Sequence, residues 1–159
     1  MPAPRTVIAV EGTTDRVVLE TIASRQGLLL PGVDIIPIGG ARAIRRFVAS
    51  LDPDVTVRGL CDANEAPVFR RVLADVFVCA PDLEGELIRA IGADQMLALV
   101  DDSFRVMQMQ AAHRDRPLEA QLHRWLRSIA ERRNRYLPLL AEHAVDVGRV
   151  PEPLAAVLA

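Results

Sequence analysis

Apolar runs separated by short polar segments dominate the first ninety or so residues of the chain. Four of these runs have the length and the near-continuous hydrophobicity of strands buried on both faces, and they span about residues 7–10, 33–38, 56–61 and 75–79. Between them, apolar residues recur at three- and four-residue intervals, which is typical of amphipathic helices. The alternation of strand and helix predicts a parallel sheet with right-handed crossovers.

Turn and capping residues set the expected bounds of the helices in this half. Thr14 is expected to be the N-cap of the first helix, and Pro67 lies where a first-turn proline suits the third. A helix after Gly39-Gly40 would end near Asp52. The predicted helices are about 14–25, 40–51, 67–73 and 81–91.

The pattern changes after Gly92, where no strong strand follows and helical spacing continues. The predicted helices are 93–100, 103–112, 118–131, 136–143 and 151–158, with Pro117, Pro138 and Pro151 at or near helix starts. Trp125 lies on an amphipathic helix and is expected in the core. The 159 residues therefore predict a single α/β domain: an α/β core of about 5–92 with about four parallel strands, and a helical extension of about 93–159 packed on the sheet.

Composition excludes several functions. All 19 basic residues are arginine, so a P-loop ATPase and Schiff-base chemistry, which both need lysine, are excluded for this chain. Cys61 and Cys79 fall in predicted core strands, which favours buried free thiols over a disulfide or a zinc site. The first five residues are too short and polar for a signal peptide and no apolar run reaches membrane-spanning length, so we expect a cytoplasmic protein without a membrane.

Polar residues follow three of the four predicted strands at their carboxyl ends. Because the carboxyl ends of parallel strands share one edge of a sheet, these side chains are expected to converge. Carboxylate and amide oxygens suit Mg²⁺ or Mn²⁺. The candidate ligands are Glu11 and Asp15, Asp62 and Asn64, and Asp82 and Glu84.

Each of these segments also has a purely structural interpretation. Asp15 alone is explained as a first-turn acid that complements the helix dipole, whereas for Glu11, directly after a buried strand, both interpretations remain open. Asp62 and Asn64 would lie on one side of an extended segment, but they also suit an Asx-type turn. Asp82 can be the N-cap of the following helix.

Basic and glycine-rich segments are the candidate phosphate contacts. Backbone N–H groups of Gly39-Gly40, with Arg42, Arg45 or Arg46 nearby, would suit a phosphate, although the glycines also fit a simple tight turn. A late cluster would contact DNA phosphates or form a solvated helix face. Its members are Arg124, Arg127, Arg132, Arg133 and Arg135. Surface or capping roles are expected for His113 and His123.

Together these motifs resemble the Toprim domain, and in particular its version in OLD-family (overcoming lysogenization defect) nucleases. The resemblance covers roughly residues 5 to 158 and extends to a late basic helix. The matching segments are Val10-Glu11-Gly12-Thr13-Thr14-Asp15, Ile36-Pro37-Ile38-Gly39-Gly40, Asp62-Ala63-Asn64-Glu65, Asp82-Leu83-Glu84 and Arg132-Arg133-Asn134-Arg135-Tyr136.

The resemblance implies a Mg²⁺- or Mn²⁺-dependent endonuclease that cleaves DNA phosphodiester bonds with one or two metal ions. By position it makes Glu11 and Asp62 catalytic, and it places Arg133 where the family has a lysine that steadies the phosphate. The implied metal ligands are Glu11, Asp15, Asp62, Asn64 and Glu84, with Asp82 beside the second ion. Arg42, Arg45, Arg124, Arg127, Arg132 and Arg135 would contact nucleic acid.

Departures from the family pattern leave a second interpretation open. Asn64 stands where the family has a second Asp, Arg133 replaces lysine, and the ATPase usual in OLD proteins is missing from this chain. The alternative is a catalytically weak Toprim module that binds metal or nucleic acid as a subunit of a larger DNA-processing complex with a separate ATPase. A further alternative is a Toprim enzyme whose substrate is RNA or another phosphodiester. The oligomeric state is left open.

Overall fold

A four-stranded, all-parallel sheet lies at the centre of the computed structural model, which describes residues 5–100, 103–112 and 114–159. Its spatial order is β2-β1-β3-β4. The strands are β1 (Thr6–Val10), β2 (Val33–Pro37), β3 (Thr56–Asp62) and β4 (Asp75–Cys79). In register, Val10 pairs with Pro37 and Leu60, and Asp62 pairs with Cys79. The strands thus end close to one level, and the predicted parallel α/β fold is confirmed.

Helices flank the sheet and form the carboxyl-terminal half. They are α1 (Thr13–Arg25), α2 (Ile44–Ala49), α3 (Ala66–Arg70), α4 (Leu83–Ile91), α5 (Ala93–Leu99), α6 (Ser103–Ala112), α7 (Leu118–Arg127), α8 (Ala130–Asp146) and α9 (Glu152–Leu158). Single 3₁₀ turns precede two of them, at Ala41–Ala43 before α2 and at Ala63–Glu65 before α3. No helix within the described ranges is long and apolar enough to cross a membrane.

Two apolar cores cover the two faces of the sheet, because successive strand residues point to opposite sides. Ile8 and Val10 join the larger core with residues of β3, β4, α1, α4 and the helices of the extension, whereas Ala9 joins the smaller core with α2 and α3. Complete burial of a side chain such as Leu87 contributes about 1.5–3 kcal/mol. The extension therefore shares one core with the face of the sheet that α1 and α4 cover.

The two cysteines lie on opposite faces of the sheet. Cys61 belongs to the smaller core and Cys79 to the larger one, and both are free and buried. Burial raises the pKa of Cys61 to about 12, so it remains a neutral thiol at physiological pH.

The start of α1 differs from the sequence prediction. Gly12, and not Thr14, is the N-cap, and Thr14 lies within the helix. The reason is Asp15, whose Oδ2 accepts a hydrogen bond from the Gly12 backbone N–H at 2.8 Å and so closes the first turn two residues earlier than a cap at Thr14 would.

The late helices also differ from their predicted bounds. Pro138 was expected near a helix start but lies inside α8, which continues unbroken from Ala130 to Asp146, and α7 ends at Arg127 instead of near residue 131. A buried stripe on α8 runs through the proline, with Leu137, Leu140 and Ala141 in the core. Packing thus outweighs the local cost of proline. His113 lies outside the described residues.

Gly59 in β3 permits α3 to pack closely on the sheet. A Cβ atom added there would lie 2.6 Å from Phe69 Cδ1 and 2.8 Å from Leu73 Cδ1. We therefore expect Gly59→Ala to lower the free energy of unfolding by about 1–3 kcal/mol in urea denaturation. Thr56→Ala, an exposed change in the same strand, is the control and should have little effect. Equal stabilities for the two variants would contradict this packing.

Candidate metal centre

Glu11 directly follows β1 and is held by both neighbouring strands. Its carboxylate Oε1 accepts a hydrogen bond from the backbone N–H of Asp62 at 3.1 Å. Its backbone oxygen accepts from Gly39 N–H at 3.1 Å and from Gly40 N–H at 3.0 Å. The three carboxyl ends of β1, β2 and β3 are therefore joined at Glu11.

The glycine pair Gly39-Gly40 donates its backbone hydrogen bonds to Glu11 in this structure. Gly39 and Gly40 have φ of +80° and +107°, in the left-handed region that glycine adopts without a steric penalty. Their N–H groups point at the Glu11 carbonyl, so they do not form the open phosphate cradle considered from the sequence. The tight-turn interpretation of Gly39-Gly40 is correct.

Asp62 is the last residue of β3 and lies at the centre of the acidic edge. Its Oδ1 accepts a hydrogen bond from Leu83 N–H at 3.2 Å. Burial, followed by repulsion from Glu11, Glu84 and other carboxylates of this edge, raises the pKa of Asp62 to about 7. Acidic side chains from β1, β3 and α4 are therefore within electrostatic range of one another, as the strand order predicts.

Asp15 and Glu11 also carry raised pKa values. Burial is the first cause for both; Arg133 and backbone N–H groups oppose it. For Glu11, the charges of Asp15 and Glu65 raise the pKa further. Asp15 is thus both the capping acid of α1 and a member of the acidic edge, so its two interpretations are compatible.

Glu65 belongs to this edge, and sequence reasoning did not select it. The segment after Asp62 was expected to be extended, which would put Asn64 beside Asp62. It forms a 3₁₀ turn instead, in which residues three apart eclipse one another, so Glu65 falls on the side of Asp62. Asn64 is exposed and Glu65 is half-buried.

Asp82 is almost fully buried, and both its oxygens are engaged. It is the N-cap of α4, where Oδ1 accepts from Gly85 N–H at 2.9 Å. His123 Nε2 lies 2.8 Å from Oδ1, and Arg127 donates to Oδ2 at 2.6 Å. His123, expected at the surface or a cap, is therefore a partner of Asp82. An ion at Asp82 would have to compete with His123 and Arg127.

Glu84 is 1% exposed and forms an ion pair with Arg133 of α8. The next residue of α8, Asn134, accepts a hydrogen bond from Thr14 of α1 at 2.8 Å. At the other end of the same helix pair, Arg25 forms two hydrogen bonds with Asp146. These contacts fix α8 against α1 and α4, which brings Arg133 to the acidic edge.

The other arginines of the late cluster differ in their contacts. Arg132 lies 4.7 Å from the centre of the Trp125 ring and donates to Ser128, and Arg135 lies over Tyr136. Trp125 is buried, as predicted, with its ring centroid 5.4 Å from that of Tyr136. Arg124 is exposed, as are Arg42 and Arg45 on the other side of the sheet. Their contact with DNA remains a prediction.

The donor set of this edge suits a hard divalent ion. Within the described ranges, no three acidic, His or Cys side chains stand close enough together to hold one ion as arranged. Glu11, Asp15, Asp62 and Glu65 nevertheless have no salt-bridge partner in the described part of the chain, and mutual repulsion keeps such carboxylates apart until a cation neutralises them. Their oxygens are those that Mg²⁺ and Mn²⁺ prefer. The residues therefore fit such an ion, provided that side chains rotate toward it.

Asp62 should make the folded protein sensitive to pH. Because its folded pKa is raised from 3.8 to about 7, its contribution is fully present at low pH and is lost as pH rises through 7. Asp62→Asn should therefore raise the free energy of unfolding at pH 8 by about 1–2 kcal/mol after allowance for solvent screening, and have little effect near pH 4. Urea denaturation at both pH values checks this, with exposed Asp54→Asn as control. A gain at pH 4 that equals the gain at pH 8 would contradict it.

Removal of one partner of Asp82 should be costly. Arg127→Ala leaves a buried carboxylate with one counter-charge fewer, and we expect a loss of about 1–3 kcal/mol in the free energy of unfolding. Arg25→Ala, which breaks the exposed pair with Asp146, is the control and should cost less. If the two variants unfolded at the same urea concentration, the ion pair of Arg127 with Asp82 would contribute no more to stability than the exposed pair of Arg25 with Asp146.

Comparison with known proteins agrees with the fold. A family model described as Overcoming lysogenization defect protein-like, TOPRIM domain, matches residues 4–56. The C-terminal region of the Burkholderia pseudomallei OLD protein is 16% identical, with a TM-score of 0.64 over 98% of this chain and 95% of that one. Two structures of the C-terminal region of the Xanthomonas campestris pv. campestris OLD protein are 19% and 20% identical, both with TM-scores of 0.67. They cover 99% and 97% of this chain, and 94% and 90% of theirs.

No curated protein was found to match the chain. The family model covers the segment from β1 to the start of β3, which includes Glu11, Asp15 and the glycine pair. The structural matches extend the likeness through the helical extension. These matches agree with the resemblance inferred from the sequence: residues 4–56 match the Toprim model of OLD-like proteins, and the chain has the same fold as the C-terminal region of OLD proteins.

Proposed function

We propose that the chain is a Mg²⁺- or Mn²⁺-dependent nuclease that hydrolyses DNA phosphodiester bonds at the carboxyl edge of its sheet. The observation that carries this proposal is the group of unneutralised carboxylates there, with Asp62 at its centre. A bound divalent ion would act as a Lewis acid toward the phosphate and lower the pKa of a bound water. Glu11, Asp15 and Asp62 are the proposed ligands, and Glu65 lies beside them.

Glu11 is the best-placed group for proton transfer. Two backbone N–H groups fix its main chain and a third fixes its carboxylate, so its orientation is set before substrate binds. Its pKa is raised by burial, which moves it toward the range in which a carboxylate accepts a proton efficiently near neutral pH. Its role as general base applies if a single ion binds.

We expect Arg133 to bind the phosphate that is cleaved. Its Nε donates to Glu84, and no acceptor among the described residues takes its remaining guanidinium N–H groups. Because a guanidinium donates in a planar fork, those groups suit two oxygens of one phosphate. Glu84 thus positions Arg133 through one oxygen and leaves its second oxygen for the ion that the resemblance assigns to it.

Two observations favour a second candidate function, a catalytically weak module in a larger DNA-processing complex. Asn64 is exposed and supplies no charge to the edge, and the carboxylates do not converge without an ion. In that case an ATPase on a separate subunit would complete the activity. DNA is the proposed partner of either form, with RNA as the alternative substrate, and a cytoplasmic location is proposed for both.

Nicking of supercoiled plasmid separates the two functions. With Mn²⁺, the wild-type protein should convert supercoiled to open-circular DNA, and Glu11→Ala and Asp62→Ala should each slow this by about 10²-fold or more. Asp54→Ala, an exposed acid before β3, is the matched control and should cleave at the wild-type rate.

Chelation by EDTA should abolish the nicking. A wild-type protein that binds Mn²⁺ but leaves the plasmid intact would favour the binding module. Nicking that persists in both site variants would contradict the proposed site, because the activity would then come from another part of the preparation.

A further inference from the structure

Two groups of arginines in this protein differ in their partners. In the helical extension, Arg127 and Arg133 are bound to Asp82 and Glu84, and Arg132 is bound to Ser128. The second group is exposed and, within the described ranges, forms no hydrogen bond, salt bridge or ring contact. It comprises Arg42, Arg45 and Arg46 around the start of α2, and Arg70 and Arg71 at the end of α3.

These five arginines lie on one side of the sheet. The 3₁₀ turn before α2 packs against α3, and both elements bury their apolar residues in the smaller core. Ala41 and Ile44 supply the buried side of the first element, and Ala66 and Phe69 that of the second. Because the apolar side of each element faces the sheet, its exposed arginines lie on the outer surface. We call this surface the α2–α3 arginine face.

The α2–α3 arginine face begins at the acidic edge. Gly40 donates to the Glu11 carbonyl, and the 3₁₀ turn that carries Arg42 starts at the next residue. The turn that leads into α3 starts directly after Asp62. A negatively charged polymer bound across the candidate metal centre can therefore extend onto these arginines.

Local charge on this face is predominantly positive. Glu65 precedes α3 on the side of the acidic edge. The other nearest acids along the chain are Asp52 and Asp54, after α2, and Asp75, at the start of β4; none of these three pairs with an arginine among the described residues. Arginine remains protonated at any physiological pH and donates bidentately to phosphate oxygens. Unpaired arginines therefore bind phosphate without first breaking an internal ion pair.

We propose that the α2–α3 arginine face binds the phosphodiester backbone of a nucleic acid and directs it to the acidic edge. The binding does not depend on the proposed function; only the cleavage that would follow rests on it. The face adds Arg70 and Arg71 to the phosphate contacts that the sequence suggested at Arg42, Arg45 or Arg46. In the late cluster, Arg127 and Arg133 are instead engaged by Asp82 and Glu84. Binding through such a face is independent of base sequence and strongly dependent on salt.

Fluorescence anisotropy tests this in EDTA, where no cleavage occurs. The probes are a labelled DNA duplex and an RNA duplex of the same sequence; the tighter binder identifies the nucleic acid. The triple variant Arg42→Gln, Arg45→Gln, Arg46→Gln and the double variant Arg70→Gln, Arg71→Gln should each weaken binding. The five-site combination should bind about 10-fold or more weakly, with a salt slope smaller by about 0.9 for each lost contact.

A matched control removes the same number of charges elsewhere. Arg114→Gln, Arg116→Gln, Arg149→Gln equals the triple variant in charge and alters exposed arginines whose side chains have no partner among the described residues. It should keep wild-type affinity, and thermal melting of all variants should match the wild type because only exposed side chains change.

Three results would overturn the proposal: a wild-type protein that binds neither duplex, a five-site variant with unchanged affinity for both, or an equal loss in the control. These are separable from failure of the proposed function. A protein that binds through the α2–α3 arginine face but does not nick plasmid with Mn²⁺ supports the face and not the nuclease. A five-site variant that binds and nicks like the wild type overturns the face alone.

Discussion

Uncompensated negative charge at the carboxyl edge of the sheet is the constraint on which the rest of this structure depends. The fold brings carboxylates from β1, α1, β3 and α4 to one place, and burial makes their mutual repulsion felt. The helical extension neutralises only part of this charge, since Asp82 binds His123 and Arg127 and Glu84 binds Arg133. The carboxylates closest to the strand ends have no salt-bridge partner among the described residues.

The ion pairs that neutralise part of this charge help to determine where the helical extension packs. Its helices share the larger core with α1 and α4, but apolar burial alone does not fix their register. The ion pairs of α7 and α8 with the start of α4 do so, because a buried carboxylate without its partner would be strongly unfavourable. Arg127 and Arg133 serve this purpose, although the sequence assigned them to phosphate contacts, whereas the arginines of the α2–α3 arginine face keep their side chains exposed.

The sheet and most helices could be predicted because continuous apolar runs and three- to four-residue spacing are local signals. The meeting of Glu11 and Asp62 also followed, since the carboxyl ends of parallel strands share an edge. The contact of Asp82 with His123 could not be predicted, because residues 41 apart in sequence carry no local mark of their pairing. Pro138 and the turn at Glu65 were missed because tertiary packing and a 3₁₀ conformation replaced the expected local geometry.

Calorimetric titration of Mn²⁺ into two matched variants tests the division of charge most directly. Asp62→Asn and Asp82→Asn each remove one carboxylate from the same edge, one without a counter-ion and one held by His123 and Arg127. We predict that Asp62→Asn weakens Mn²⁺ binding by about 10-fold or more, whereas Asp82→Asn leaves it close to wild type. Loss of binding in Asp82→Asn with full binding in Asp62→Asn would contradict it.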